Sequence, residues 1–149
     1  MKQHHGMTSI VKNTARLVSG FIAVFGLYVA LTGHLAPGGG FAGGVILAAS
    51  GVLIVLAFGR RFSAKVITDR AVHIADAAGA GVFLLVALLG FLAGAFFANF
   101  IPTGEPHHLK SGGAIPISNL AIFVKVGAGL LGAFMALSAF RLTSKESKT

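Results

Sequence analysis

The chain has 149 residues, 55 % of them hydrophobic and 11 % charged, with a mean hydropathy of +0.86, a balance few soluble domains show. A net charge of +8 suggests nucleic acid at first sight, but the Lys and Arg residues stand at the ends of apolar runs rather than on an amphipathic face, so they read as topology charges. The absence of cysteine excludes disulfides, thiolate metal sites and iron–sulfur ligation from this chain, and leaves the redox compartment unreadable.

Four apolar segments follow one another, each near the ~20 residues that cross ~30 Å of hydrocarbon. The expected spans are about 15–34, 41–59, 72–99 and 116–141, within a single membrane domain covering 1–149. The fold class is therefore all-α: a polytopic membrane protein with four transmembrane helices. The polar residues Met1 to Gly6 read as a frayed tail, in which His4-His5 is a mobile pair rather than a ligand set. The first run reads as a span and not as a cleaved signal peptide, because three more spans follow it.

Between spans one and two lies Gly33-His-Leu-Ala-Pro-Gly-Gly-Gly-Phe-Ala-Gly-Gly44. Proline followed by three glycines turns the chain sharply, since proline pre-sets φ and glycine adopts φ > 0 without a Cβ penalty. Gly39/Gly43 and Gly40/Gly44 are two overlapping small-xxx-small pairs, which permit close approach of membrane helices. Span two stops at Arg60-Arg61. Span three, from about Val72 to Phe100, is longer than the hydrocarbon needs and is expected to tilt or project. Span four ends at Arg141, and Thr143 to Thr149 reads as a solvated tail.

Orientation follows from the basic residues. Lys2, Lys12, Arg16, Arg60, Arg61, Lys65, Arg70, Arg141, Lys145 and Lys148 fall on one side, and Lys110 alone on the other. The positive-inside rule then places both termini in the cytoplasm and the Pro-Gly turn on the outer face. A multi-pass protein of the cell membrane is the expected localisation.

Ionisable groups inside spans cost about 3 kcal/mol each on translocon scales, so Lys125, Asp76 and His34 need an explanation. Lys125 lies ~24 Å above the level of Arg141. It either snorkels to the outer headgroups or, beside Gly127, Gly129 and Gly132, sits in a packed or water-facing position that suits a proton relay or a switchable counter-charge. Asp76 lies ~9 Å above Arg70, as a cation or proton acceptor or as a first-turn acid favoured by the helix dipole. The height difference of ~15 Å excludes direct contact between the two. His34, ~27 Å above Arg16, is level with Lys125, so a His34–Lys125 cluster is geometrically open, as is a purely structural histidine.

Gly38-Gly-Gly-Phe-Ala-Gly-Gly lacks the Gly-Lys-Ser/Thr of a phosphate loop and follows no strand. His107-His108 lacks further ligands at metal spacing, and no Ser/His/Asp set is recognisable. No catalytic residue, metal site or cofactor is expected.

The run Gly-His-Leu-x-Pro-Gly-Gly-Gly-Phe-x-Gly-Gly resembles the signature of the MnhB-type (MrpB-type) subunits of multisubunit Na⁺/H⁺ antiporters. The likeness continues through Phe25-Gly-Leu-Tyr-Val, Ile115-Pro-Ile-Ser-Asn-Leu-Ala and Val124-Lys-Val-Gly-Ala-Gly-Leu, and covers most of the chain. The second connection and the His107-His108 loop match loosely. The resemblance implies a small non-redox subunit of a large complex that moves Na⁺ and H⁺, with other membrane subunits and the lipid bilayer as its partners and no nucleic acid. Gly33, His34, Pro37, Gly38, Gly39, Gly40, Phe41, Gly43 and Gly44 are the residues that match the family motif. The span-four sequence with Lys125 looks more like the related subunit of membrane-bound hydrogenase complexes; stand-alone antiporters carry an acidic residue and Gly-Val-Tyr in this region. Three roles follow as expectations: a wall of an ion path with Lys125, His34 and Asp76 as candidates; a purely structural assembly subunit whose glycine faces dock neighbouring helices; or the antiporter-like subunit of a hydrogenase or ferredoxin-oxidoreductase complex.

Overall fold

The structure is a computed structural model that describes residues 7–59, 63, 67–105, 108 and 111–146, with side chains described as far as residue 139. His4-His5, Arg60, Arg61, Lys65, His107, Lys110 and Lys148 lie outside the described residues. Four long helices, α1 (Ser9–Leu31), α2 (Gly40–Phe58), α3 (Asp69–Leu89) and α4 (Ile115–Glu146), carry the fold, and each is long and apolar enough to cross a membrane. No strand occurs among the described residues.

Helix α1 packs on α2, while α2 and α3 both pack on α4, so the order across the bundle is α1–α2–α4–α3. Small residues decide this arrangement. The buried core is mostly alanine, with Ala15, Ala30, Ala48, Ala57, Ala87, Ala114, Ala121 and Ala128, while Phe21, Val24, Leu84, Leu88 and Leu137 point outward. A water-soluble bundle would invert that distribution. Between membrane helices large side chains gain nothing by leaving lipid, and small ones let backbones meet.

The glycines mark where that happens. A Cβ on Gly43 would lie 2.5 Å from the Gly26 carbonyl oxygen, and one on Gly26 would lie 2.9 Å from the Gly43 carbonyl oxygen. Helices α1 and α2 therefore cross backbone to backbone, and Ser50 Oγ donates to the Ser19 carbonyl (2.8 Å) further along the same seam. Gly44 meets Phe123 and Gly127 of α4 in the same way, and Gly40 abuts the Asn119 carbonyl. On the other side of α4, Gly79 of α3 lies against Ala121 and Lys125.

Two expectations need correction. Helix α3 ends at Leu89 and is followed by a 3₁₀ turn, Gly90–Ala93, rather than continuing to 99. Gly94 takes a left-handed conformation (φ +101°), and the chain folds back so that Phe97 N–H donates to the Ala87 carbonyl (3.1 Å). A Cβ at Gly90 would collide with the returning Phe97 and Ala98 backbone, which is why the reversal needs glycine there. The long apolar run is thus a span plus a folded-back cap, with Phe97 packed on Phe83 (5.4 Å between ring centroids). Helix α4, in turn, continues through residues 143–146, where a solvated tail is expected from the sequence.

Candidate functional site

The turn between α1 and α2 is built from the motif residues. Leu35 and Ala36 N–H both donate to the Thr32 carbonyl, and Gly38 (φ +152°) and Gly39 (φ +111°) then bring the chain into α2. Gly33 stacks on Gly39 closely enough to leave no room for a Cβ. Pro37 and Phe41 are exposed, while Gly40, Gly43 and Gly44 are buried. The glycines at 40, 43 and 44 face α1 and α4 of this same chain, so the close approach foreseen for them is intramolecular.

His34 packs its ring edge against Gly112 in the α3–α4 connection. Both of its ring nitrogens are buried, and neither has a hydrogen-bond partner among the described residues. The connection itself is clasped by Asn99, whose Oδ1 accepts from Ala114 N–H (3.0 Å) at the start of α4 and from Ile101 N–H (3.4 Å). The expected His34–Lys125 cluster does not form. Lys125 lies ten residues, or ~15 Å, into α4 from Ile115, on the side that meets α3, whereas His34 stays with the turn beyond the helix end.

Lys125 instead donates to Asp76 Oδ1 across the α3–α4 seam at 3.1 Å. This overturns the expectation that the two are too far apart. The error lies in taking Arg70 and Arg141 as one level. Val72 packs on Gly132 and Gly79 on Lys125, so Arg141 projects about seven residues, ~10 Å, beyond the height of Arg70. The few ångströms left over fall within the reach of a lysine side chain. Asp69, not Asp76, is the first-turn acid of α3.

The pair sits in a notch made by glycines. A Cβ on Gly79 would press on the Lys125 backbone, and one on Gly129 would reach Asp76 Oδ1 at 3.2 Å. The lysine side chain is 50 % exposed and the aspartate 39 %, so the notch opens outward, away from α1 and α2. A half-open ion pair within two apolar helices is costly against hydrocarbon, because each charge loses water while their mutual attraction restores only part of that loss. Facing another protein surface or a hydrated path removes the conflict. Sequence reasoning misses Gly79 and Gly129 as residues of this notch; their signal is spacing, since Gly79 follows Asp76 by one helical turn and Gly129 follows Lys125 by one.

Among the described residues, no group of three or more His, Cys, Asp or Glu side chains is placed to hold a metal ion.

Comparison with known proteins agrees with this architecture. An uncharacterised protein of Methanocaldococcus jannaschii is 35 % identical over 150 aligned positions, covering 95 % of this chain and 57 % of that protein. The MnhB-type subunit of the Na⁺/H⁺ antiporter of Bacillus subtilis is 38 % identical over 92 positions, which are 62 % of each chain. Among solved structures, a chain of the membrane-bound sulfane sulfur reductase, an archaeal respiratory membrane complex, superposes with a TM-score of 0.77 at 31 % identity, covering 90 % of this chain and 59 % of that one. The chain thus spans about three fifths of the length of these relatives. The family profile described as a domain related to the MnhB subunit of Na⁺/H⁺ antiporters matches residues 10–132, and the chain, a multi-pass membrane protein, belongs to that family.

Proposed function

We propose that this chain is a membrane subunit of a multisubunit cation/proton antiporter-type complex in the cell membrane, with both termini cytoplasmic, and that the Asp76–Lys125 notch forms part of the wall of its ion path. The observation that carries this reading is the 3.1 Å pair held half-open inside two membrane-spanning helices. Family membership supports the parent assembly, and the outward opening supports a neighbouring subunit as the opposite wall. Asp76 offers a carboxylate that accepts a proton or a cation, and Lys125 supplies the counter-charge that exchanges partners when it does. His34, remote from the pair, belongs in this reading to the turn rather than to the path.

The test is Na⁺-dependent proton flux in vesicles carrying the assembled complex. Asp76→Asn and Lys125→Met, each checked for intact assembly, are expected to lower flux at least tenfold. Unchanged flux with full assembly removes the pair from transport and leaves a structural role.

The likeness to a chain of a sulfane sulfur reductase favours a second placement, in which the same wall serves a redox-linked ion pump. Genes for a hydrogenase or a ferredoxin-linked reductase beside this one support that placement, and antiporter genes alone argue against it.

A further inference from the structure

Apart from the notch, the bundle carries a large concavity where three of its helices meet. It is an apolar groove of about 650 Å³ between α2 and α3, floored by α4 and with Arg16 of α1 at its mouth. We propose that this groove holds an anionic membrane lipid, one acyl chain lying along α2 and the phosphate on Arg16.

The groove has the dimensions of one leaflet. Its wall on α2 runs from Phe58 to Leu47, eleven residues or ~16 Å, against ~15 Å for half of a ~30 Å hydrocarbon core. A membrane-spanning helix from a partner needs the full thickness, and the groove supplies half of it. The walls are apolar, and the one hydroxyl from α2, Ser50 Oγ, already donates to Ser19, so nothing inside calls for a polar occupant.

The mouth has the opposite character. The Arg16 guanidinium stacks over the Phe58 ring at 5.3 Å from its centroid, at the last residue of α2 and therefore at headgroup level. Stacking occupies the face of the guanidinium and leaves its N–H edge for an acceptor, the geometry that binds phosphate bidentately. Among the described residues no carboxylate is paired with Arg16: Asp76 is taken by Lys125, and Glu105 lies beside His108. In sequence Phe58 is followed closely by Arg60 and Arg61, so the charge around the mouth is positive. An apolar slot of leaflet length that ends at such an arginine is complementary to an anionic phospholipid and not to a zwitterionic one.

The site is read independently of any ion path. The full chain, purified in detergent and exposed to equimolar dioleoylphosphatidylglycerol and dioleoylphosphatidylcholine, is examined by native mass spectrometry. Retention of the glycerol lipid is expected to exceed that of the choline lipid about tenfold, as a charge-assisted contact implies. Arg16→Gln brings the ratio to about one while a chain is still retained; Arg16→Lys, the milder change, falls between. Ala71→Phe, which fills the slot from its exposed wall, lowers retention of both lipids. Equal retention by the parent chain, a preference that survives Arg16→Gln, or a photo-crosslinker at Ala71 that captures a polypeptide and no lipid in native membranes each overturns the proposal.

Discussion

Asp76 and Lys125 are each expensive within a membrane span and cheaper together, which makes their separate removal more informative than their joint removal. Taking one partner away leaves a charge without its mate at an apolar surface, whereas replacing both leaves a neutral notch. Lys125→Met or Asp76→Asn alone is therefore expected to destabilise the chain by about 1–2 kcal/mol, less than the ~3–5 of a fully enclosed pair because both side chains are partly exposed. The double variant should recover most of that loss. Thermal unfolding in detergent, followed by circular dichroism, measures the cycle; a double variant that loses the sum of the single changes shows that the pair is not energetically coupled. At this scale the sequence makes the right residues visible, since the cost of a charge in a span is a property of the residue alone. It does not make their pairing visible, because pairing depends on how far α4 slides past α3, and that is set by where Gly79 and Gly132 find their partners. His34 shows the same limit. Its place in the turn is legible, but the burial of both ring nitrogens against Gly112 depends on a connection that returns from the far end of α3.

At the scale of the helices, glycine positions say that backbones will meet, and packing alone says which ones. Gly43 and Gly44 are adjacent in sequence yet serve different helices, Gly43 facing α1 and Gly44 facing α4, because neighbours on a helix point about 100° apart. That places α2 as a spacer whose two sides are both stripped of side chains. The α1–α2 crossing has no slack, with the carbonyl of Gly26 where a Cβ of Gly43 would stand. Gly43→Leu is expected to cost about 3 kcal/mol or more and to lower the yield of folded protein, as overpacking against backbone cannot be relieved by a rotamer change. Gly20, on the outer side of α1 with nothing within 4 Å, is the control. Gly20→Leu should be neutral or stabilising, by up to about 1 kcal/mol of helix propensity. Equal effects at the two positions, read by unfolding in detergent, remove the close crossing. The end of α3 is not legible from the apolar run, since hydropathy counts residues without asking whether they continue a helix. Gly90 and Gly94 are the available signal, a pair of breakers inside a run that otherwise reads as one span.

For the molecule as a whole, four helices alternate in direction, so both ends of the chain lie on one side of the membrane whichever side that is. Choosing the side rests on charge. Lys12 and Arg16 on α1 and Arg70 on α3 share one end of the bundle, and that of the Pro37 turn carries no basic residue in the described α1–α2 connection. An Arg or Lys that must be carried across during insertion works against the membrane potential and the anionic inner leaflet, so this asymmetry favours keeping the Arg16 end inside. Because the chain has no cysteine, single cysteines report accessibility without background. Ala36→Cys, exposed in the turn, is expected to react with a membrane-impermeant maleimide in intact cells, and Met7→Cys, exposed before α1, only after the membrane is permeabilised. The reverse pattern would invert the bundle. It would move the Arg16 lipid groove to the outer leaflet and turn the glycine motif toward the cytoplasm, while the Asp76–Lys125 notch, held between α3 and α4 within the span, would stay within the membrane either way.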